Sequence, residues 1–273
     1  MNKNVCLLGS IFACLFSSYQ VRADDPIMNM MPRWSGGWGY QVHYEFINET
    51  DLLMGSNKLY PGFSEEINIM HFEGVYTWKK EIRIIAKLPY VLSAEREMPD
   101  GSGGKLIQKD SGWGDLNLGL PLKKYFNLDG KSGSSTFKPM VRIPLSKKDD
   151  YDFYYKEFGV GLGFGHEFET ANYYFGIGTA WWIFDGNRPA EIHSSLDFGY
   201  NFETENSNGS IFWETDFHFE DDSRTLGLGP AFYFNHNDTI HSRIEWKHDL
   251  IDHQGILDHG NGNHFKVGIG WVF

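Results

Sequence analysis

The sequence predicts an all-β protein: a transmembrane, antiparallel, up-and-down β-barrel of about twelve strands. Three observations carry this. Apolar and polar residues alternate with period two along stretches of about ten residues, which is the pattern of strands with one apolar face. Mean hydropathy is negative and no apolar run reaches the length of a membrane helix, yet aromatics make up 16% of the chain. Such polarity suits a membrane protein only if outward apolar residues alternate with lumenal polar ones. The chain also opens on an export signal. Lys3 precedes an apolar run from Val5 to Phe16, and Val21-Arg22-Ala23 gives a cleavage site before Asp24.

That run is too short to span a bilayer as a helix. Cys14 raises a lipoprotein signal instead, but Phe12 fits that badly and the apolar run continues past Cys14. Cys6 and Cys14 are the two cysteines of the chain, and both fall in the removed segment 1–23. Disulfides, thiolate metal sites and cysteine nucleophiles are thereby excluded from the mature chain. Residues 24–35 read as an irregular periplasmic lead-in and 36–273 as the barrel. Without Lys3 and Arg22 the mature chain has 22 basic and 36 acidic residues, a formal charge of −14. Such a chain does not seek nucleic acid electrostatically.

Twelve alternating stretches follow in order. The first is Trp38–Ile47, with Trp38, Tyr40, Val42, Tyr44 and Phe46 opposite Gln41, His43 and Glu45. The next are Glu66–Tyr76, Glu81–Val91, Gly114–Tyr125, Phe137–Leu145 and Phe158–Phe168. Then come Tyr173–Phe184, Glu191–Phe202, Ser210–Phe219, Thr225–Asn235 and Thr239–Leu250. The last is Gly262–Phe273, in which Phe265, Val267, Ile269, Trp271 and Phe273 share a face. Each is long enough to cross a bilayer at a tilt. Pro139 and Pro144 cost the fifth stretch ladder hydrogen bonds.

With the N-terminus in the periplasm, links such as Glu169-Thr170-Ala171 and His236–Asp238 are short periplasmic turns. Asn48–Ser64, Ser93–Ser111, Ser146–Lys156 and Ile251–Asn261 are the longer extracellular loops. Asn127–Ser135 reads as an unusually long periplasmic link and Asp221–Ser223 as an unusually short outer one.

Two resemblances follow from quoted residues. A chain ending on an alternating strand with aromatic Phe273 last resembles bacterial outer-membrane barrels, where this element is recognised by the barrel-assembly machinery. The segment Asp110–Phe126 (DSGWGDLNLGLPLKKYF), with its core Gly114-Asp115-Leu116-Asn117-Leu118-Gly119, resembles the outer-membrane barrels grouped as "MetA-pathway of phenol degradation" proteins. That resemblance implies passage of small, hydrophobic or aromatic solutes; it brings no catalytic residues and no cofactor. Outer-membrane lipid and lipopolysaccharide are the implied surroundings.

The inward faces carry the candidate site. On the ninth stretch Glu214, Asp216, His218 and Glu220 share the inner face. On the eleventh His241, Arg243, Glu245 and Lys247 do so, while Arg83, Lys87, Asp115 and Arg142 also point inward. Facing an Arg or Lys to lipid costs about 2–4 kcal/mol near the midplane, so these groups belong in a wet interior. Gly159, Gly161, Gly163 and Gly165 alternate with Phe158, Val160, Leu162 and Phe164, which makes a strand and not a phosphate loop. With Gly176 and Gly178 they form either a cleared wall for a solute or a simple relief of crowding. An acidic wall facing a glycine wall predicts a weak preference for cations or neutral solutes.

A membrane-embedded lipid hydrolase of the phospholipase type is the enzymatic alternative. His193 and Ser195 lie on one face at spacing two, but alternation aims them at the lumen, away from lipid. A purely structural or adhesive barrel is the third reading. Six of the eleven histidines lie between His236 and His264, without the tight spacing of a metal site. The acidic run Asp149-Asp150-Tyr151-Asp152 reads as a solvated loop able to meet cations bridging lipopolysaccharide.

Overall fold

The computed structural model describes residues 36–54, 57–58, 63–79, 81–99, 104–128, 131–145, 157–186, 188–204, 207–254, 257–260 and 262–273. The expected signal segment, its cleavage after Ala23, the lead-in and the Asp149–Asp152 run lie outside the described residues.

Seventeen hydrogen-bonded segments form one sheet that closes on itself. Twelve crossings make the wall: β1 (Gly37–Glu49), β4 (Ser64–Lys79), β5 (Ile82–Pro99), a broken strand β6–β7–β8 (Lys105–Trp113, Leu116–Gly119, Leu122–Leu128), β9 (Lys131–Ile143), β10 (Gly159–Glu169), β11 (Tyr173–Phe184), β12 (Glu191–Thr204), β13 (Ser207–Glu220), β14 (Ser223–Asn235), β15 (Ile240–Gln254) and β17 (Asn263–Val272). Every neighbouring pair is antiparallel, and β1 closes the cylinder by pairing with both β4 and β17. At the seam Phe273 donates its N–H to Trp38 O at 2.8 Å, and Trp38 returns the bond to Phe273 O at 3.3 Å. Three short segments, β2 (Asp51–Met54), β3 (Asn57–Lys58) and β16 (Leu257–Gly260), form a small sheet extension on the rim opposite the termini.

The outer surface is what alternation requires. Val160, Leu162 and Phe164 on β10, and Trp181 and Ile183 on β11, are exposed while the residues between them turn inward. Aromatics cluster near the end that carries both termini. Trp38 packs on Tyr76 at 4.6 Å, Tyr76 on Trp78 at 5.0 Å and Tyr173 on Tyr200 at 5.7 Å. Toward the other end Trp113 packs on Tyr90 at 4.8 Å. Two aromatic levels bracketing an apolar band fit the two interfaces of a bilayer.

The structure corrects several boundaries. The expected loop Ser93–Ser111 is mostly strand: β5 runs to Pro99 and β6 starts at Lys105, with Glu95 opposite Lys109 and Arg96 opposite Gln108. Beyond the bilayer no apolar face is needed, so the ladder continues while the hydrophobic signal stops. The expected long link Asn127–Ser135 shrinks for a related reason. Lys131–Ser135 are small or polar, yet they pair with β8 and β10, and buried Ser134 bonds Glu167 at 2.5 Å. The stretch Gly114–Tyr125 is interrupted, because Pro121 and the bend at Gly114-Asp115 break the ladder between β6, β7 and β8. Pro139 stays inside β9; its carbonyl accepts Leu120 N–H at 3.0 Å. Likewise β15 extends past Leu250 to Gln254.

Candidate functional site

Because successive side chains alternate sides, one inward residue on each strand fixes the rest. Register then sets the neighbours. On β13 the inward residues are Glu214, Asp216, His218 and Glu220; they stand opposite Asp197, Ser195, His193 and Glu191 of β12. Arg243 and Glu245 of β15 stand opposite Gly268 and Lys266 of β17, and Lys266 in turn opposite Glu45 of β1. Inward placement also holds for Arg83, Lys87, Asp115 and Arg142. All the glycines named above turn inward as well.

The charges form a ladder across the strands. Glu214 accepts from Arg243 and lies 3.3 Å from Lys247. Lys247 also bonds Asp216 and sits 2.7 Å from Glu245, while Arg243 is 3.1 Å from Glu245. Across the seam Lys266 lies 3.4 Å from Glu45, and Glu45 is 2.6 Å from His71. Glu73 accepts from Gln41 and lies 2.9 Å from Lys87. Glu220 is held by Arg188 at 3.0 Å. Each of the three carboxylates on β13 therefore has a cationic partner, as expected of inward charges of both signs that share one interior. Lys247 and Lys266 are readable in the sequence as inward residues. Which carboxylate each meets depends on register, including the shift between Leu226 and Gly227.

The glycine wall divides in two. A Cβ on Gly159 would come within 2.7 Å of the Phe184 ring, and one on Gly161 within 2.8 Å of Trp182. These two glycines are covered by inward aromatics of β11. Arg142 then lies over Trp182 and Phe184, 4.8 and 4.9 Å from their centroids, and Arg188 lies 4.1 Å above Phe184. This is a cation–π stack of the kind arginine favours. Alternation from Gly176 and Gly178 places Trp182 and Phe184 inside, although composition alone assigns such residues to lipid. Of the other glycines Gly165 is open, Gly163 and Gly178 meet the Lys138 stem at 3.2 Å and Ser195 Oγ at 3.1 Å, and Gly176 is covered by Tyr174 Oη at 2.7 Å. Gly163, Gly165, Gly176 and Gly178 line an interior cavity of about 710 Å³.

That cavity has a mixed lining. Its carboxylates are Glu45, Glu73, Glu167, Asp197, Asp216, Glu245 and Asp249; its strong cations are Arg83, Lys87, Lys123, Lys138, Lys247 and Lys266. Val75, Ile85, Met140 and Trp182 supply apolar surface beside them. Nearer the termini Tyr174, Phe212, Ala231 and Tyr233 pack together in the interior. At that level Lys123, buried, lies 3.3 Å from Glu167.

His193 and Ser195 both face this interior. The His193 ring bonds Glu191 at 3.0 Å and stacks on His218 at 4.2 Å. Ser195 Oγ lies against Gly178, 3.1 Å from where its Cβ would stand. The bilayer side of the same strand presents Ile192 and Leu196.

In overall structure the chain is similar to the COG4313 outer membrane channel from Pseudomonas putida F1, with a TM-score of 0.69 and 14% identity over 94% of this chain and all of that one. It is also similar to the β-domain of the Bordetella autotransporter BrkA, with a TM-score of 0.50 and 11% identity over 88% of this chain and all of that one. These likenesses establish the fold as that of a bacterial outer-membrane β-barrel. No functionally curated protein matches the chain in sequence. A family model does, over residues 53–253, a stretch that takes in the Gly114–Gly119 motif and nine complete wall strands. The chain belongs to the family described as "Putative MetA-pathway of phenol degradation".

Proposed function

We propose that the barrel is a passive outer-membrane conduit for small solutes, and that small aromatic compounds bearing a polar group are the class its interior suits. The carrying observation is the cavity of about 710 Å³, a size typical of small-molecule sites. Its apolar patch of Val75, Ile85, Met140 and Trp182 lies beside charges most of which are paired, Glu73 with Lys87 and Glu45 with Lys266 among them. A neutral ring with one polar substituent can use both without stranding a charge. The family's description, which names phenol degradation, supports the aromatic class, and the likeness to an outer membrane channel of Pseudomonas putida supports the conduit.

The end with both termini is the periplasmic one, since the links there, such as 170–172 and 236–239, are short. The chain is exported with its first 23 residues removed. Phe273, 74% exposed on the outer surface, is available to the assembly machinery. Phe273→Ala should lower the yield of heat-modifiable barrel in outer-membrane fractions; an unchanged yield removes that role.

The central test is solute entry into liposomes carrying the purified barrel. Phenol-sized solutes should enter faster than into empty liposomes, and Gly163→Trp, which fills the cavity, should cut entry while leaving the folded form intact. Equal entry with and without the barrel would sink the conduit.

A further inference from the structure

Three side chains from three separated segments converge at the rim opposite the termini. Glu49 ends β1, Asp252 lies near the end of β15, and His259 sits on the rim segment β16. One ligand atom from each lies within 4.8 Å of the others. His259 Nδ1 is 2.6 Å from Glu49 Oε2 and 4.0 Å from Asp252 Oδ2. The cluster is sheltered: the His259, Glu49 and Asp252 side chains are 9%, 14% and 6% exposed. Phe63, itself buried, meets the His259 ring edge-on at 5.5 Å.

The field here attracts a cation. Glu65 stands opposite Glu49 in the ladder and adds a carboxylate, which Arg96 bonds at 2.5 Å. Glu49 and Asp252 each put a carboxylate oxygen within 4.0 Å of His259 Nδ1. A second triad, Glu191, His193 and His218, is equally compact yet argues the other way. Arg188 bonds its carboxylate and Arg142 lies 3.6 Å from it, so a metal ion there would face two guanidinium groups.

We propose that Glu49, Asp252 and His259 bind one divalent metal ion of the zinc type, through His259 Nδ1 and one oxygen of each carboxylate. An imidazole nitrogen with two carboxylates suits a borderline ion; calcium and magnesium favour all-oxygen shells. The ion takes the place of the hydrogen bond between His259 Nδ1 and Glu49. Water completes the tetrahedron. Since β16 pairs with β2 through His259–Leu52 and Gly260–Asp51, the ion fastens the rim extension to the wall at β1 and β15.

The test uses the full barrel in detergent, stripped with chelator and titrated with zinc sulfate in a calorimeter. One equivalent should bind, with proton release seen as a dependence of heat on buffer ionisation. His259→Ala and Asp252→Asn should each weaken that equivalent by more than ~10-fold, since even outer-shell partners of a metal act on that scale. His236→Ala, at the opposite end, should leave it unchanged. Heat-modifiable mobility checks that each variant is folded, and His259→Gln replaces His259→Ala if the latter is not. Zinc binding that ignores these substitutions, absence of binding by the folded parent, or calcium binding as tightly as zinc would each overturn the proposal.

Discussion

The two sides of the interior solve one problem differently. On β13, β15, β17 and β1 most long inward side chains at mid-height are charged, and stability comes from pairing: Lys247 alone meets Glu214, Asp216 and Glu245. On β10 the inner face from Gly159 to Gly165 is glycine, and Phe184 and Trp182 of β11 lie across Gly159 and Gly161. The charged side is a network, in which removing one member strands several others. The glycine side is a packing problem, in which what matters is whether a neighbour can move. A solute passing between them meets few unpaired charges on one side and little bulk on part of the other.

The network should break hardest. Lys247→Met leaves three carboxylates without their shared cation and should cost on the order of 3 kcal/mol, the scale for breaking a buried pair. Denaturant unfolding followed by heat-modifiable mobility measures it. A loss no larger than that of an exposed lysine such as Lys79→Met would mean the network is too hydrated to matter.

The packing side should show a smaller, position-dependent effect. Gly161→Val drives a methyl into Trp182, a ring already held under Arg142, and should cost about 1–3 kcal/mol as overpacking does. Gly163→Val meets only the flexible Lys138 stem at 3.2 Å and should cost clearly less in the same assay. Equal costs would erase the distinction between covered and open glycines.

Selectivity sharpens the contrast further. With β13 paired, an open parent barrel should discriminate little between potassium and chloride. The double change Glu214→Gln and Asp216→Asn leaves Arg243 and Lys247 to share Glu245, so the reversal potential in a salt gradient should move toward anions. A parent with strong cation preference would show that the ladder does not neutralise the wall. The smallest effect belongs to Ser195→Ala. It faces the interior beside Gly178, and the change should leave any lipid hydrolysis of the preparation untouched; its loss would instead establish an enzyme.

Alternation made much of this wall legible. Wherever one face meets lipid, as on β10 to β14, a period-two reading finds the strand and decides which residues turn inward. It fails where the strand leaves the bilayer. Glu95 and Lys109 pair across β5 and β6 without an apolar neighbour to announce them, and Ser132 and Ser134 look like a loop although both are buried in the ladder. It also fails for partners. Nothing in the chain says that Lys247 meets Asp216, because the shift in the β14–β15 register decides it. Glu49, Asp252 and His259 are invisible together for a further reason: a closed cylinder brings its first and last strands side by side, and a rim segment must fold back before the histidine arrives.

The mutual hydrogen bonds of Trp38 and Phe273 have a practical consequence. The two ends of the wall already touch, so a short linker could join them and new ends be opened between Leu145 and Glu157 without altering one strand pair. Such a circular permutant keeps the cylinder but moves its aromatic finish into the middle of the polypeptide. It would separate two things that coincide in the natural order: the strand pairing that closes the wall, and the position of Phe273 that we propose the assembly machinery reads.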